Sequence, residues 1–299
     1  MSTQIQIPLV NTEPLQSILG VLQLEKIDQN LFRGKNLRQF GERVYGGQVF
    51  AQAVMAAQAT LQGSQRDDLV NREIHSITAA FLRPGKLEEP TNFLVEDVLD
   101  GKSFSTRRVY ALQNNETIFS ARASFQIPQT GVDHQSIAPE VTPPEELNSS
   151  IDFFAGLDMP GIREISMFNA VDLRHVNGAI WIKPEKTKNT RTQIWFKFQS
   201  PLPEETPQVV HRALLAYATD QFMLEPVLRA HGLFWLQPKV NLATLDHSIW
   251  WHRNVDVSDW ILADLESPSA QGGRGLAIAK YFQNGKHIAT MAQEGMVRS

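Results

Sequence analysis

The sequence predicts an α+β fold built twice. Each copy is an antiparallel sheet wrapped around one long helix, and the two copies join as a pseudo-dimer with a continuous sheet. Three observations carry this expectation. Short strings recur: His75, Ser76 and Ile77 return as His247, Ser248 and Ile249, and Gln113 and Asn114 return as Gln283 and Asn284, each pair followed by turn residues and an apolar run. Each half also sets one helical segment ahead of a series of strands. Finally, the 299 residues exceed the roughly 100–150 residues of a usual single core, so two domains are the natural division.

In the first copy a mixed segment covers Leu22 to Arg33. Tyr45, Gly46 and Gly47 then open an alanine-rich stretch to about Leu61, where Val49, Ala53 and Ala56 fall on one face of a helix. Small side chains at Ala51, Ala53, Ala56, Ala57 and Ala59 let a curved sheet approach this helix closely. Alternating runs at Glu73 to Leu82, Phe93 to Leu99, Arg107 to Leu112 and Ile118 to Ile127 read as strands. Pro128 to Ser150, with Pro139, Pro143 and Pro144 close together, reads as the linker. The expected division is 1–128, linker 129–150, and 151–299.

The second copy repeats the order. Strands are expected at Ala170 to Trp181 and Gln193 to Gln199. A helix follows, with Thr206 as N-cap, Pro207 at its first position and its end near Leu224, limited by Pro226. Further strands are expected at Val240 to Trp250, Trp260 to Leu265, Gly275 to Phe282 and His287 to Met296. His231 and Gly232 read as a helix C-cap, and Gly272 to Gly275 as a turn. All six tryptophans lie in this half, which fits either a deep aromatic pocket or an ordinary aromatic core.

Composition narrows the chemistry. A net charge of −4 gives no electrostatic reason to expect nucleic acid or an anionic membrane as partner. The absence of cysteine excludes disulfides, thiolate nucleophiles and cysteine-based metal sites. No metal and no cofactor is expected. Met1 to Pro14 lacks the basic patch and apolar stretch of a secretory signal, and no segment approaches the roughly 20 apolar residues of a membrane span. The last residues, Met296 to Ser299, are not a peroxisomal address of the Ser-Lys-Leu type, so a cytoplasmic location is expected.

The reactive set belongs to the second copy. Anchoring the repeat on its recurring strings places Ala56, Arg72 and Ala123 opposite Asp220, Thr244 and Gln293. Ala213, Ala216 and Tyr217 precede Asp220 at helical spacing, so its carboxylate falls on the apolar face. A buried carboxylate must be hydrogen-bonded, protonated or held for function. Helix position alone leaves a structural aspartate equally open, and the acid-free first copy favours function. Strict alternation puts Thr244 on the strand face of Leu242 and Trp250, and Gln293 on that of Met291 and Val297. An acid, a hydroxyl and an amide on apolar faces can hold and polarise one water. The recurring histidines, His75 and His247, read as structural supports of a strand or of the seam between copies, because a catalytic role would not survive in a copy lacking every partner. Arg107, Arg108, Arg253 and Arg274 are candidate contacts for an anionic ligand.

With these residues in view, the sequence resembles the acyl-CoA thioesterase II family, which has a double hotdog fold. The resemblance runs through Leu31 to Gly34, Tyr45 to Gln48, Phe81 to Gly85, Ala218 to Asp220, Ala243 to Ser248 and Gln293 to Gly295. It implies hydrolysis of acyl-CoA thioesters to free acid and coenzyme A, with Asp220, Thr244 and Gln293 in the positions of the family's water-activating acid, hydroxyl and amide. Asp220 is expected as general base or water-orienting carboxylate, with the other two completing the water's hydrogen bonds. Gly47, at the start of the first helix, is the expected oxyanion donor. Two alternatives stay open: a hydratase or dehydratase on the same fold, which needs a histidine beside the acid and finds none in Gln221 to Glu225, and a non-catalytic acyl-CoA binding module. The expected partner is acyl-CoA, in a homo-oligomer.

Overall fold

A computed structural model describes residues 5–38, 42–64, 66–157 and 170–298. Chain order begins with α1 (Leu15–Leu22), β1 (Glu25–Asp28), β2 (Leu31–Gly34), α2 (Gly46–Gln62) and α3 (Asp67–Val70). β3 (Glu73–Phe81), β4 (Thr91–Asp100), β5 (Phe104–Gln113) and β6 (Glu116–Gln126) complete the first half. After a short helical turn at Pro144–Glu146 come α4 (Ser150–Ala155), β7 (Val171–His175), β8 (Arg191–Phe198), α5 (Gln208–Thr219) and α6 (Glu225–His231). β9 (Asn241–Trp251), β10 (Ile261–Gln271), β11 (Arg274–Gln283) and β12 (Lys286–Arg298) close the chain.

All twelve strands form one antiparallel sheet, in the order β1-β2-β4-β5-β6-β3-β9-β12-β11-β10-β8-β7. The halves meet at β3 and β9, which pair from Ser76 with Trp250 to Ala80 with Asp246. This seam turns two open edges into interior strands, so the sheet runs on without a break. α2 is buried on almost every side, as the alanine-rich stretch requires, between the sheet and the antiparallel α5. Its two fully buried glutamines are satisfied by backbone: Gln48 accepts from Leu37 N at 3.0 Å, and Gln52 donates to Val21 O at 2.8 Å. Arg212 on α5 donates to Ile74 O at 2.7 Å and to Glu73 at 2.7 Å, tying the second helix to the first half's seam strand.

The two repeated anchors behave differently. Gln113 and Gln283 occupy equivalent places: each ends its strand before an Asn-Asn or Asn-Gly turn with positive φ, the pattern a tight hairpin needs. They also bond alike, Gln113 to the backbone of Lys86 and Glu89, and Gln283 to that of Asp256 and Asp259. The displacement that carries Gln113 to Gln283 pairs Ala123 with Ile77 and Gln293 with His247, which makes Ile77 the counterpart of His247. The two His-Ser-Ile strings are therefore two residues out of register. Thr244 corresponds to Ile74 and Leu242 to Arg72, which corrects the expected match of Arg72 with Thr244. The shift of two keeps each string on the same sheet face, so sequence alone does not expose it.

Other expectations change in detail. Thr206 does not cap α5. Its hydroxyl donates back to Pro203 O at 2.6 Å, and Pro207 takes the cap position. α5 ends at Thr219, before Leu224, and Pro226 sits in the first turn of a separate helix, where its missing N–H costs nothing. The strand expected from Ala170 to Trp181 is confined to Val171–His175. Gly232, at φ 68°, is the left-handed cap expected there.

Candidate active site

Asp220 takes the C-cap position of α5 with helical backbone angles, so the periodicity that placed it inward still holds. Thr244 reaches it because β9 is bulged. The register against β12 shifts between Glu294 and Gly295, and the bulge moves the buried set from Leu242 and Thr244 to His247, Ile249 and Trp251. Trp250 thus faces outward, which corrects its expected place on Thr244's face. Gln293 points inward from β12 beside Met291, as alternation predicts.

The three side chains meet. Thr244 Oγ1 donates to Asp220 Oδ1 at 2.9 Å, and Gln293 Nε2 contacts the same oxygen at 3.1 Å and Thr244 Oγ1 at 2.8 Å. Two donors therefore converge on one carboxylate oxygen. Gln293 Oε1 is buried without a protein partner. Burial pushes the Asp220 pKa above the ordinary carboxylate value, opposed by hydrogen bonds from Thr244, Gln293 and the backbone of Gly47.

The first half supplies one wall. α2 starts against Asp220 so closely that a Cβ on Gly46 would lie 2.7 Å from Asp220 Oδ2, and one on Gly47 would lie 2.5 Å from Tyr217 O. Only glycine fits this approach. Gly47 N–H is directed at the Asp220 carboxylate. The N-terminus of α2 and the carboxylate at the C-cap of α5 therefore face one another. Tyr45, just before α2, donates to Tyr217 O at 2.6 Å and packs edge-on against the Tyr217 ring.

The acid, hydroxyl and amide open into a cleft of about 510 Å³. Its other walls are mostly apolar, including Leu173, Trp181, Leu224, Trp235, Leu242 and Phe154. Two of the six tryptophans thus line the cleft, while Trp251 is core and Trp250 is surface.

His247 lies 4.0 Å from Asp220 Oδ1 but does not pair with it as an ion. It is fully buried and stacked on Phe50 at 4.8 Å, and burial drops its pKa to about 3, so it is neutral at physiological pH. Neither of its ring nitrogens has a hydrogen-bond partner among the described residues, and it does not line the cleft. The candidate arginines are engaged elsewhere: Arg107 is buried against Asp97 and Asp100, Arg253 meets Asp133, Arg274 meets Glu294 and Arg108 approaches Glu96. Among the described residues no group of three potential ligands could hold a metal ion, and no helix is long and apolar enough to cross a membrane.

Sequence reading missed Tyr45, while His247 sits buried on the seam strand, in keeping with the structural role expected of it. Tyr45 precedes the Gly46-Gly47 pair, which was the available signal.

Comparison with known proteins decides the family. The model for "Acyl-CoA thioesterase" matches residues 180–296, and that for "Acyl-CoA thioesterase N-terminal domain" matches residues 36–126. Acyl-CoA thioesterase 2 of Haemophilus influenzae is 36% identical over 95% of this chain and 98% of its own. The chain belongs to the acyl-CoA thioesterase family. Human acyl-coenzyme A thioesterase 8 is 33% identical, over 95% of this chain and 90% of its own. The crystal structure of acyl-CoA thioesterase II TesB2 from Mycobacterium marinum superposes with a TM-score of 0.76 at 35% identity, covering 94% of this chain and 98% of that one. The protein is accordingly a thioesterase with tandem hotdog domains, and acyl-CoA thioester hydrolysis is its reaction class.

Proposed function

We propose that this thioesterase hydrolyses acyl-CoA with a water activated by Asp220, positioned by Thr244 and Gln293. The supporting observation is the convergence of Thr244 and Gln293 on Asp220 Oδ1 at the wall of the cleft. Gln293 Nε2 must face the acceptor-only carboxylate. Thr244 and Gln293 thus work mainly by fixing the carboxylate.

The steps follow. Asp220 takes one proton as the water oxygen bonds to the thioester carbonyl carbon. The tetrahedral intermediate collapses with cleavage of the carbon–sulfur bond. Asp220 returns the proton to the leaving thiolate, giving free acid and coenzyme A thiol. The positive end of α2, aimed at the same point, stabilises the negative charge passing between carboxylate and oxyanion.

Asp220→Asn removes the base while keeping its size, and kcat should fall by about 10²- to 10⁴-fold in a thiol-release assay. A variant retaining parental kcat would overturn the reading. The hydratase alternative is weaker, since His247, the histidine nearest Asp220 among the described residues, lies outside the cleft lining. We further divide the chain into hotdog domains at 1–128 and 151–299, joined by 129–150, and expect a homo-oligomer, which light scattering would check.

A further inference from the structure

The cleft is chemically lopsided. Asp220, Thr244 and Gln293 gather at one place on its wall, while Phe154, Leu173 and Trp181 form a buried end, with Trp181 only 8% exposed. Leu236, at 42%, marks a side open to solvent. A thioester has an apolar tail and a highly charged coenzyme. Removing the charged part from water without partners is costly, whereas the tail gains from burial. The tail therefore takes the closed end and the coenzyme the open one.

Behind that closed end lies a group of buried charges with no part in the chemistry. Glu225 and Arg229 are both essentially inaccessible. Glu225 Oε2 meets His175 Nε2 at 3.0 Å and accepts Trp235 Nε1–H at 3.1 Å, and its Oε1 accepts from Arg229 at 2.7 and 2.9 Å. Arg229 goes on to Glu185 at 2.7 Å. His175 packs edge-on against Trp181, ring centres 5.0 Å apart, and Trp181 packs on Phe154 at 5.2 Å. Backbone completes the frame, with Trp235 N donating to Ile180 O and Leu236 N to Trp181 O. Buried ion pairs are poor sources of stability, but they fix geometry sharply. Here the cluster grips one tryptophan of the wall through its indole N–H and backs the other with an imidazole.

We propose that Trp181 is the chain-length stop of this enzyme. It closes the acyl arm, and the Glu225–His175–Arg229 cluster acts as a positioning group that keeps the Trp181–Trp235 wall from yielding to longer chains. The inference rests on the hydrolytic reading above and adds the residue that sets the substrate's length. Its physical basis is that a close-packed wall held from behind excludes an extra methylene, whereas a soft one gives way and admits it.

The test is thiol release from a series of straight-chain acyl-CoA esters by the full-length protein. Four versions are compared: parent, Trp181→Ala, which opens the end, Leu173→Phe, which shortens it, and Glu225→Gln, which loosens the wall from behind. The ratio of kcat/KM for long over short chains should rise at least about tenfold in Trp181→Ala and fall in Leu173→Phe. Because the shifts are opposite, a general loss of fold cannot imitate them, and either variant decides the matter if the other does not fold. Glu225→Gln, which loosens the wall, should lower KM for chains just beyond the parental limit while leaving kcat for short chains little changed. A parental profile in whichever of the Trp181→Ala and Leu173→Phe variants folds, with hydrolysis intact, overturns the length stop alone. A parent that releases no thiol from any ester overturns the hydrolytic reading instead.

Discussion

At the residue scale, Asp220 carries two opposed influences, and their balance sets the pH behaviour. Burial raises its pKa, while the donors at Thr244, Gln293 and Gly47 hold it down. The base is the carboxylate form, so kcat/KM should rise with pH through one ionisation lying above the ordinary aspartate range. Thr244→Val deletes a donor that lowers the pKa, and the acid limb of kcat/KM against pH should therefore move to higher pH. A limb that stays put or moves down would contradict this. His247 should add no second limb near neutrality, because burial holds its pKa near 3. Gly46→Ala is the matching steric test. The added methyl meets Asp220 Oδ2, and displacing a base by about 1 Å costs up to roughly 10²-fold in rate, which should appear in kcat. The three polar residues were legible in the sequence because each stands on an apolar face. Their direct contacts were not, because those depend on a bulge in β9 that strict alternation cannot express.

At the element scale, α6 is the part that sequence did not separate from α5. Pro226 was read as a stop, and it is instead an early position of a new helix whose Glu225 anchors the charge cluster. Burial pushes the Glu225 pKa up, but His175 and Arg229 outweigh it and bring it from 4.5 to about 2. The sign follows for a depressed carboxylate. Its contribution to stability is present above about pH 4.5 and is lost as pH falls toward 2. Glu225→Gln leaves Arg229 with Glu185 as its one remaining carboxylate partner among the described residues and should destabilise the protein by about 3–5 kcal/mol at neutral pH, read by denaturant unfolding. The penalty should shrink as the solution is acidified through that window. A cost below about 1 kcal/mol at pH 7 would mean that Glu185 alone suffices to balance the arginine. Gly275 belongs to the same element contact, since a Cβ there would strike Val227 of α6.

At the scale of the whole molecule, duplication divides the work unequally. Where the second half has Leu242 in the cleft wall, the first has Arg72, fully buried and bonded to Ser105 Oγ at 2.6 Å and Gly101 O at 2.8 Å. Where the second has Thr244 and Gln293, the first has Ile74 and Ala123, both in the core. The first half is filled at the places where the second half is open, yet its Tyr45, Gly46 and Gly47 complete the other's site. The repeat made the double architecture readable from sequence, with the strand order and the central seam following from the need to bury edges. The equivalence of the copies was misread by two residues because both registers keep the same face buried. Since β9 takes β3 as its neighbour and Asp220 takes Gly47 as a donor, residues 151–299 expressed alone should release no measurable thiol, and adding residues 1–150 should restore activity. Parental turnover by the second half alone would refute this dependence.

The central claim is that a water held by Asp220 attacks the thioester carbon directly. A single turnover with enzyme in excess, run in ¹⁸O-labelled water, tests it with the least ambiguity. Direct attack predicts one solvent oxygen in the free acid from the first turnover and none in the protein. Unlabelled acid, with the label appearing in the Asp220 carboxylate, would show that Asp220 is a nucleophile and contradict the account.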